Sequence, residues 1–107
     1  MSYDCYLVVN TGKKEAMLEG CRWNYTYNLG DFFEWALEKR LPELNGEEAW
    51  VVKEKIIRAF DKIQRCNKES LKKYEPENGW GSVLGATIFL AEIAIACAEN
   101  PGAIFSV

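Results

Sequence analysis

The stretch Asn78-Gly79-Trp80-Gly81, followed by the apolar run Val83 to Ala98, decides the fold of this chain. Ser82 can accept a hydrogen bond from the first free amides, and Pro101 disfavours a helical conformation at Asn100, so the pattern predicts one helix between them. The run is shorter than the about 20 apolar residues that span a bilayer, which indicates a buried helix. Its large side chains project in several directions, which predicts cover on more than one side.

Strands are predicted before and after this helix along the chain. Tyr3 to Val9 is rich in residues that favour strands and ends at a turn signal, and Ala16 to Tyr27 is the candidate second strand, with a bulge at Gly20. The two predict a hairpin around residues 11–15. Ala103 to Val107 predicts a final strand that pairs beside the first, with an outer edge free to pair with another chain.

Two further helices are predicted in the middle of the chain. The first covers Phe32 to Leu41, is capped by Asn28 or Asp31, and ends before a proline. Its predicted buried stripe has three- and four-residue spacing, with Trp35 at its edge: Phe32, Phe33, Ala36, Leu37 and Leu41.

The longer helix begins at the acidic pair after Gly46 and extends to about Cys66. Ser70 can cap a short continuation through Tyr74. The predicted inner face of the longer helix consists of Trp50, Ile56, Ile57, Phe60 and Ile63.

The predicted element order is therefore β-β-α-α-α-β. This order is typical of a single α+β domain, here residues 1–107, with a small antiparallel sheet and helices packed on one of its faces. The apolar last helix is expected between the sheet and the outer helices.

Composition disfavours most catalytic chemistry. The chain has no histidine, so a Ser-His or Cys-His nucleophile cannot be built, and its four cysteines lack the spacing of a zinc site. We therefore predict four free, buried thiols, no metal, no cofactor and no enzymatic activity. An enzyme that uses carboxylates is the minor alternative. The beginning of the sequence shows no apolar secretory segment, which favours the cytoplasm.

Basic residues are concentrated in residues 53–73, which hold eight of the thirteen, against three acidic residues. Four follow helical spacing and are predicted to form a partner-binding face for an acidic protein surface or a small phosphorylated ligand: Lys55, Arg58, Lys62 and Arg65. The alternative is a solvated face with local ion pairs. A sequence pI near 5.0 makes nucleic acid an unfavourable partner.

Two polar, aromatic segments predict a ligand site. Aromatic rings offer stacking area and amides both donate and accept, so the predicted ligand-binding residues are Asn24, Tyr25, Tyr27, Asn28, Asn78 and Trp80. The alternatives are ordinary strand aromatics with a helix cap, and Trp80 as a packed lid. A shared pocket requires the two segments to meet in space.

Several motifs in combination resemble a family. The opening Tyr3-Asp4-Cys5-Tyr6-Leu7, the segment Asn24-Tyr25-Thr26-Tyr27-Asn28 and the turn Asn78-Gly79-Trp80-Gly81 resemble small bacteriophage and prophage proteins of no established activity. The resemblance implies a binding protein in a bacterial host cell, and antagonism of a host defence system through a host protein or a nucleotide-like signal fits that context. Sequestration of a small phosphorylated ligand without a defence role is the alternative, and a homodimer through the final strand is a further expectation.

Overall fold

A computed structural model describes residues 1–10, 12 and 14–107, without the side chain of residue 10. The chain has an α+β fold. Its strands and helices are β1 (Ser2–Asn10), β2 (Glu15–Thr26), α1 (Gly30–Leu37), α2 (Ala49–Arg65), α3 (Lys68–Leu71), α4 (Val83–Glu99) and β3 (Ile104–Ser106). Short 3-10 turns cover Tyr27–Leu29, Leu41–Leu44 and Lys72–Tyr74.

The sheet has the order β2-β1-β3 and both pairings are antiparallel, as the sequence predicted. Side chains alternate between its two faces. Cys5, Leu7 and Phe105 point to the helices and are fully buried, whereas Arg22 and Asn24 on the opposite face are exposed. The helices therefore cover one face of the sheet.

The predicted bulge is present in β2. Tyr6 pairs with Arg22 but Val8 pairs with Met17, so residues 18–21 of β2 lie opposite a single residue of β1. Gly20 has φ +77°, a conformation that side-chain-bearing residues rarely adopt. The predicted hairpin turn falls partly on residues 11 and 13, which lie outside the described residues.

The first helix ends earlier than predicted. Glu38 adopts a left-handed conformation with φ 60°, so α1 stops at Leu37 and Pro42 instead opens the following 3-10 turn. The predicted caps were also wrong, because the Thr26 hydroxyl accepts from the Asn28 amide and begins the 3-10 turn that leads into α1. The predicted stripe is buried, and Trp35 lies half-buried at its edge.

The inner face of α2 was predicted only in part. Ile56 is buried, and Phe60 and Ile63 pack against the core, but Trp50 and Ile57 are 50% and 49% exposed. Consecutive residues point about 100° apart on a helix, so two neighbouring isoleucines cannot both face the core. Small side chains complete the inner face instead: Ala49, Val52 and Ala59.

The cap of α3 also differs from the prediction. The Asn67 side chain accepts from the Glu69 amide at 2.8 Å, whereas the Ser70 hydroxyl donates to the Asn67 carbonyl at 2.6 Å. Asparagine before the first turn is the better cap because its side-chain oxygen reaches the free amide.

Helix α4 begins and ends where the sequence predicted. The Ser82 hydroxyl accepts from the Gly85 amide at 2.9 Å, and the helix ends at Glu99. Two elements cover α4, in agreement with the predicted cover on more than one side, but the expectation that it lies between the sheet and the outer helices was wrong, because Leu84, Ile88 and Ile95 are 70%, 50% and 62% exposed. α4 packs beside α2 and against β2 in the helical layer, which leaves its outer side uncovered.

The outer edge of β3 is occupied. The Gly46 amide donates to the Phe105 carbonyl and the Phe105 amide donates to the Glu47 carbonyl, both at 2.8 Å. The Ala49 amide donates to the Ala103 carbonyl, and the Val107 amide donates to the Asn45 side chain. The expected free edge on this strand was therefore wrong.

None of the helices in the described part of the chain combines the length and hydropathy needed to cross a membrane.

Candidate functional site

The end of β2 and the turn before α4 meet in space, as the predicted ligand site requires. The Asn28 side-chain amide donates to the Asn78 side-chain oxygen and to the Trp80 carbonyl, each at 3.2 Å. The same Asn78 oxygen accepts from the Trp80 amide at 3.0 Å. Two asparagines and one tryptophan from distant parts of the sequence therefore form one cluster.

Tyr25 joins the two segments from the core side. Its hydroxyl donates to the Ser82 carbonyl at 3.1 Å and accepts from the Ser82 amide at 3.0 Å. Its ring packs near Phe33 and Phe89. Tyr25 is thus a positioning residue for the turn, and it lies outside the cleft that the other predicted ligand-binding residues line.

Gly81 permits this close approach. It has φ +92°, and a Cβ there would lie 2.6 Å from the Thr26 methyl and 2.8 Å from a Leu29 methyl. Any side chain at this position would push the turn away from β2.

The cleft formed in this way, here the amide cleft, is open and has a volume of about 510 Å³. Trp80 is 72% exposed at its rim, so the packed-lid interpretation was wrong. Asn24 is held in place because its amide donates to the Ser2 hydroxyl and the Asp4 carboxylate, both at 2.8 Å. The lining residues are Met1, Ser2, Asn24, Thr26, Tyr27, Asn28, Asn78 and Trp80.

No lysine or arginine is among these described lining residues. The amide cleft therefore offers stacking and hydrogen bonds without a basic side chain to pair with a phosphate, which suits an uncharged, flat group.

A second cleft, here the tyrosine cleft, lies on the other side of Tyr27 and has a volume of about 590 Å³. The Tyr3 and Tyr27 rings meet edge to face with centroids 4.5 Å apart. Burial raises the pKa of the Tyr3 hydroxyl, while the Arg40 guanidinium opposes that rise. Asp31 and Glu34 also line this cleft.

A third cleft, here the basic cleft, lies between the end of α1 and the side of α2 and has a volume of about 310 Å³. Four cations and one carboxylate are among its lining residues, which are Ala36, Leu37, Glu38, Lys39, Lys55, Arg58 and Lys62. Three of the four predicted partner-binding residues therefore lie around one concavity.

Lys62 is fixed within this cleft. Its ammonium donates to the Trp35 carbonyl at 2.7 Å and lies 4.7 Å from the centre of the Trp35 ring. The Glu38 carboxylate is 3.8 Å away and largely exposed, so it neutralises the cleft only weakly.

The fourth predicted residue, Arg65, is not among the residues that line the cleft. Its side chain pairs with Asp61 at 3.2 Å on an exposed part of α2. Lys39 takes the fourth place. The sequence did not indicate it, because the helix predicted over Phe32 to Leu41 contains Lys39. The left-handed residue before it turns the chain back toward α2.

Among the described residues, no group of three histidine, cysteine or acidic side chains is placed to hold a metal ion. No family model, curated protein or solved structure matches the chain. The candidate site consequently rests on geometry and charge alone.

Proposed function

We propose that this protein acts by binding, without catalysis, and that the basic cleft receives an anionic group of its partner. The observation that carries the proposal is the placement of Lys39, Lys55, Arg58 and Lys62 around one cleft of about 310 Å³ with a single, exposed carboxylate. Cations gathered in a concave site raise the local concentration of anions.

The size of the cleft indicates what enters it. A volume of about 310 Å³ is at the lower end of ligand pockets, so it suits one phosphate group or one acidic side chain better than an entire nucleotide. Arg58 supplies a planar fork for such a group and the lysines supply point charges. A phosphorylated small molecule and an acidic segment of a host protein share this chemistry.

Binding of pyrophosphate and ATP, measured by isothermal titration calorimetry, tests the proposal. We expect Arg58→Glu to weaken binding by about 10- to 100-fold, the effect of losing one charge-assisted hydrogen bond. Arg65→Glu is the matched control, because it changes the net charge equally on the same helix but outside the cleft. Equal losses in both variants, or no saturable binding by the unchanged protein, would overturn the anion site.

The cellular role that we propose follows the resemblance to phage and prophage proteins. In a bacterial cytoplasm, the anionic partner would be a defence protein or its nucleotide-like signal, and occupation of the basic cleft would remove it from action. Expression in bacteria that carry a defence system should restore phage plating, and Arg58→Glu should abolish that restoration while Arg65→Glu keeps it. If the Arg58→Glu variant still restores phage plating, the basic cleft is not required for the defence-antagonist role.

A second candidate function is capture of an uncharged, flat ligand in the amide cleft. Five of the six predicted ligand-binding residues line that one cleft, which favours it. Fluorescence titration with adenosine and guanosine tests this function. The chain has four tryptophans, so the signal is assigned by comparing Trp80→Phe, which should lose it, with Trp50→Phe, which should keep it.

A further inference from the structure

The outer side of the helical layer carries most of the exposed bulky apolar side chains. Nine large hydrophobic residues are exposed among the described residues, and five of them lie on α2 and α4: Trp50, Ile57, Leu84, Ile88 and Ile95. Exposed apolar residues are ordinary when scattered, but a contiguous group on two adjacent helices marks an interaction surface.

The two helices are antiparallel neighbours. The Trp50 amide donates to the Pro101 carbonyl at 3.2 Å, which joins the start of α2 to the end of α4. At the other end, Gln64 and Leu84 line the same groove. Trp50, Ile57 and Gln64 follow seven-residue spacing on α2, so they share the side of that helix that borders α4.

On α4 the uncovered residues repeat with steps of four and three. They are Leu84, Ile88, Ala91, Ile95 and Ala98, of which Ala91 is half-buried. This is the spacing of a helix that packs along another helix. Ala91 is the midpoint of α4 (Val83–Glu99), and Ile57 is the midpoint of α2 (Ala49–Arg65). The surface therefore has nearly the same length on both sides of its centre.

We infer that this surface, formed by the outer sides of α2 and α4, binds a second copy of the chain about a twofold axis that passes near Ile57 and Ala91. Around that axis α4 packs antiparallel on the partner's α4, and α2 packs antiparallel on the partner's α2. A twofold axis brings the same patch together from both copies, which requires a self-complementary surface.

The shape of the surface meets this requirement. An apolar groove of about 630 Å³ lies at the Leu84 end, and its lining includes Ile63, Leu71 and Val83. The half-exposed Trp50 lies at the opposite end of the same surface. The twofold rotation exchanges the two ends and places each Trp50 ring over the groove of the other copy. A bulky aromatic ring in an apolar groove is a typical anchor of an interface.

The charged residues of this surface are also self-complementary about the twofold axis. Lys68 and Lys72 line the groove at the Leu84 end together with one carboxylate, Glu75, which accepts from the Val83 amide. Glu99 is exposed at the far end of α4, and Glu48 accepts from the Trp50 indole at 2.9 Å. Lys68 has no ion-pair partner among the described residues. Exchange of the ends brings acidic residues of each copy toward basic residues of the other, which favours this pairing over a parallel one.

The available area is sufficient. Two adjacent helices, each about 25 Å long and about 10 Å wide, present a surface on the order of 500 Å² on each copy. The total of about 1,000 Å² reaches the lower limit of a specific interface.

Sedimentation equilibrium over a range of protein concentrations tests the inference. We expect a dimer for the unchanged protein and at least a tenfold weaker dimer for Ile57→Glu, because two carboxylates would meet at the axis. Met17→Glu is the matched control, since Met17 is 54% exposed on β2, away from this surface. Far-ultraviolet circular dichroism confirms that each variant is folded.

Three outcomes would overturn the inference: a monomer throughout the range to about 100 μM, a dimer that Ile57→Glu leaves unchanged, or equal weakening by the Met17→Glu control. A second experiment locates the axis. Ala91→Cys in a Cys66→Ser background should form an intermolecular disulfide under mild oxidation, whereas Met17→Cys in the same background should not. A cross-link at residue 17 and none at 91 would place the contact elsewhere.

Discussion

Gly85 lies against the Tyr25 hydroxyl, and a Cβ at that position would collide with it. At an exposed position in a helix, replacing glycine by alanine stabilises the folded state by up to about 1 kcal/mol. Here we expect Gly85→Ala to destabilise by about 1–3 kcal/mol, since the ring or the helix must move. Urea denaturation measures the change. Tyr25→Phe removes the nearest atom, so the effect of Gly85→Ala should shrink in that background, and a stabilising Gly85→Ala would contradict the packing.

The cysteines differ in their surroundings. Cys5, Cys21 and Cys97 are buried, and burial raises the pKa of Cys5 and of Cys97 to about 12. Cys66 is half-buried, so the prediction of four buried thiols was wrong for this residue. It lies 3.0 Å from the Ser70 hydroxyl. We expect one thiol to react rapidly with a disulfide reagent at pH 8, and Cys66→Ser to remove that reaction. Rapid reaction of three or more thiols would mean that the core opens readily.

The same burial predicts an alkaline limit to stability. Well below pH 9 these thiols are protonated whether the chain is folded or unfolded, so they add no pH dependence there. Between pH 9 and about 12 the unfolded chain loses protons that Cys5 and Cys97 keep in the folded state, so stability falls as pH rises. Each thiol contributes a slope of about 1.4 kcal/mol per pH unit. In denaturant titrations over this pH range, the free energy of unfolding of Cys97→Ala should fall less steeply than that of the unchanged protein. An equal slope in the two proteins would contradict the role of the buried Cys97 thiol.

At the scale of elements, α1 ends where a glutamate adopts a conformation that suits glycine. Glu38→Gly should stabilise the fold by about 1 kcal/mol, because the left-handed conformation costs a side-chain-bearing residue about that amount. Glu38→Gln keeps the side chain but removes its charge from the basic cleft, so it should tighten anion binding without that gain in stability. Thermal melts and calorimetry separate the two effects, and weaker anion binding by Glu38→Gln would count against the cleft.

The elements themselves were largely predictable from the sequence. Spacing and caps located β1, β2 and α4, because Ser82, Gly20 and Pro101 act through local backbone geometry. The end of α1 was not predictable, since no local signal marks Glu38 as left-handed. Nor did periodicity distinguish Ile56 from Ile57, because their burial depends on where α1 and α4 pack against α2.

The site was predictable as residues but not as geometry. The amides and Trp80 stood out by composition, yet only the fold brings Asn28 within 3.2 Å of Asn78. Helical spacing placed Arg58 and Lys62 on one side of α2. Lys39 joins them from another element, through a turn that the sequence does not indicate.

At the scale of the whole molecule, Phe105 connects the sheet to the helical layer. Its side chain is fully buried, and its backbone bonds to residues 46 and 47 on one side while β3 pairs with β1 on the other. We expect Phe105→Ala to destabilise by about 3–5 kcal/mol. Val107→Ala, at a half-buried neighbour, should change stability by less than about 1 kcal/mol in the same denaturation experiment. Similar effects from both would contradict the central place of this ring.

The position of β3 has a kinetic consequence. Tyr6 pairs with Ser106, so the two strands join residues 100 positions apart in the sequence. Closing a loop of that length costs about 4 kcal/mol in chain entropy before any contact compensates it. Pairings of this kind slow folding. During synthesis on the ribosome, the edge of β1 that pairs with β3 stays open until residues 104–106 emerge, and through that interval the nascent chain is exposed to chaperones and proteases.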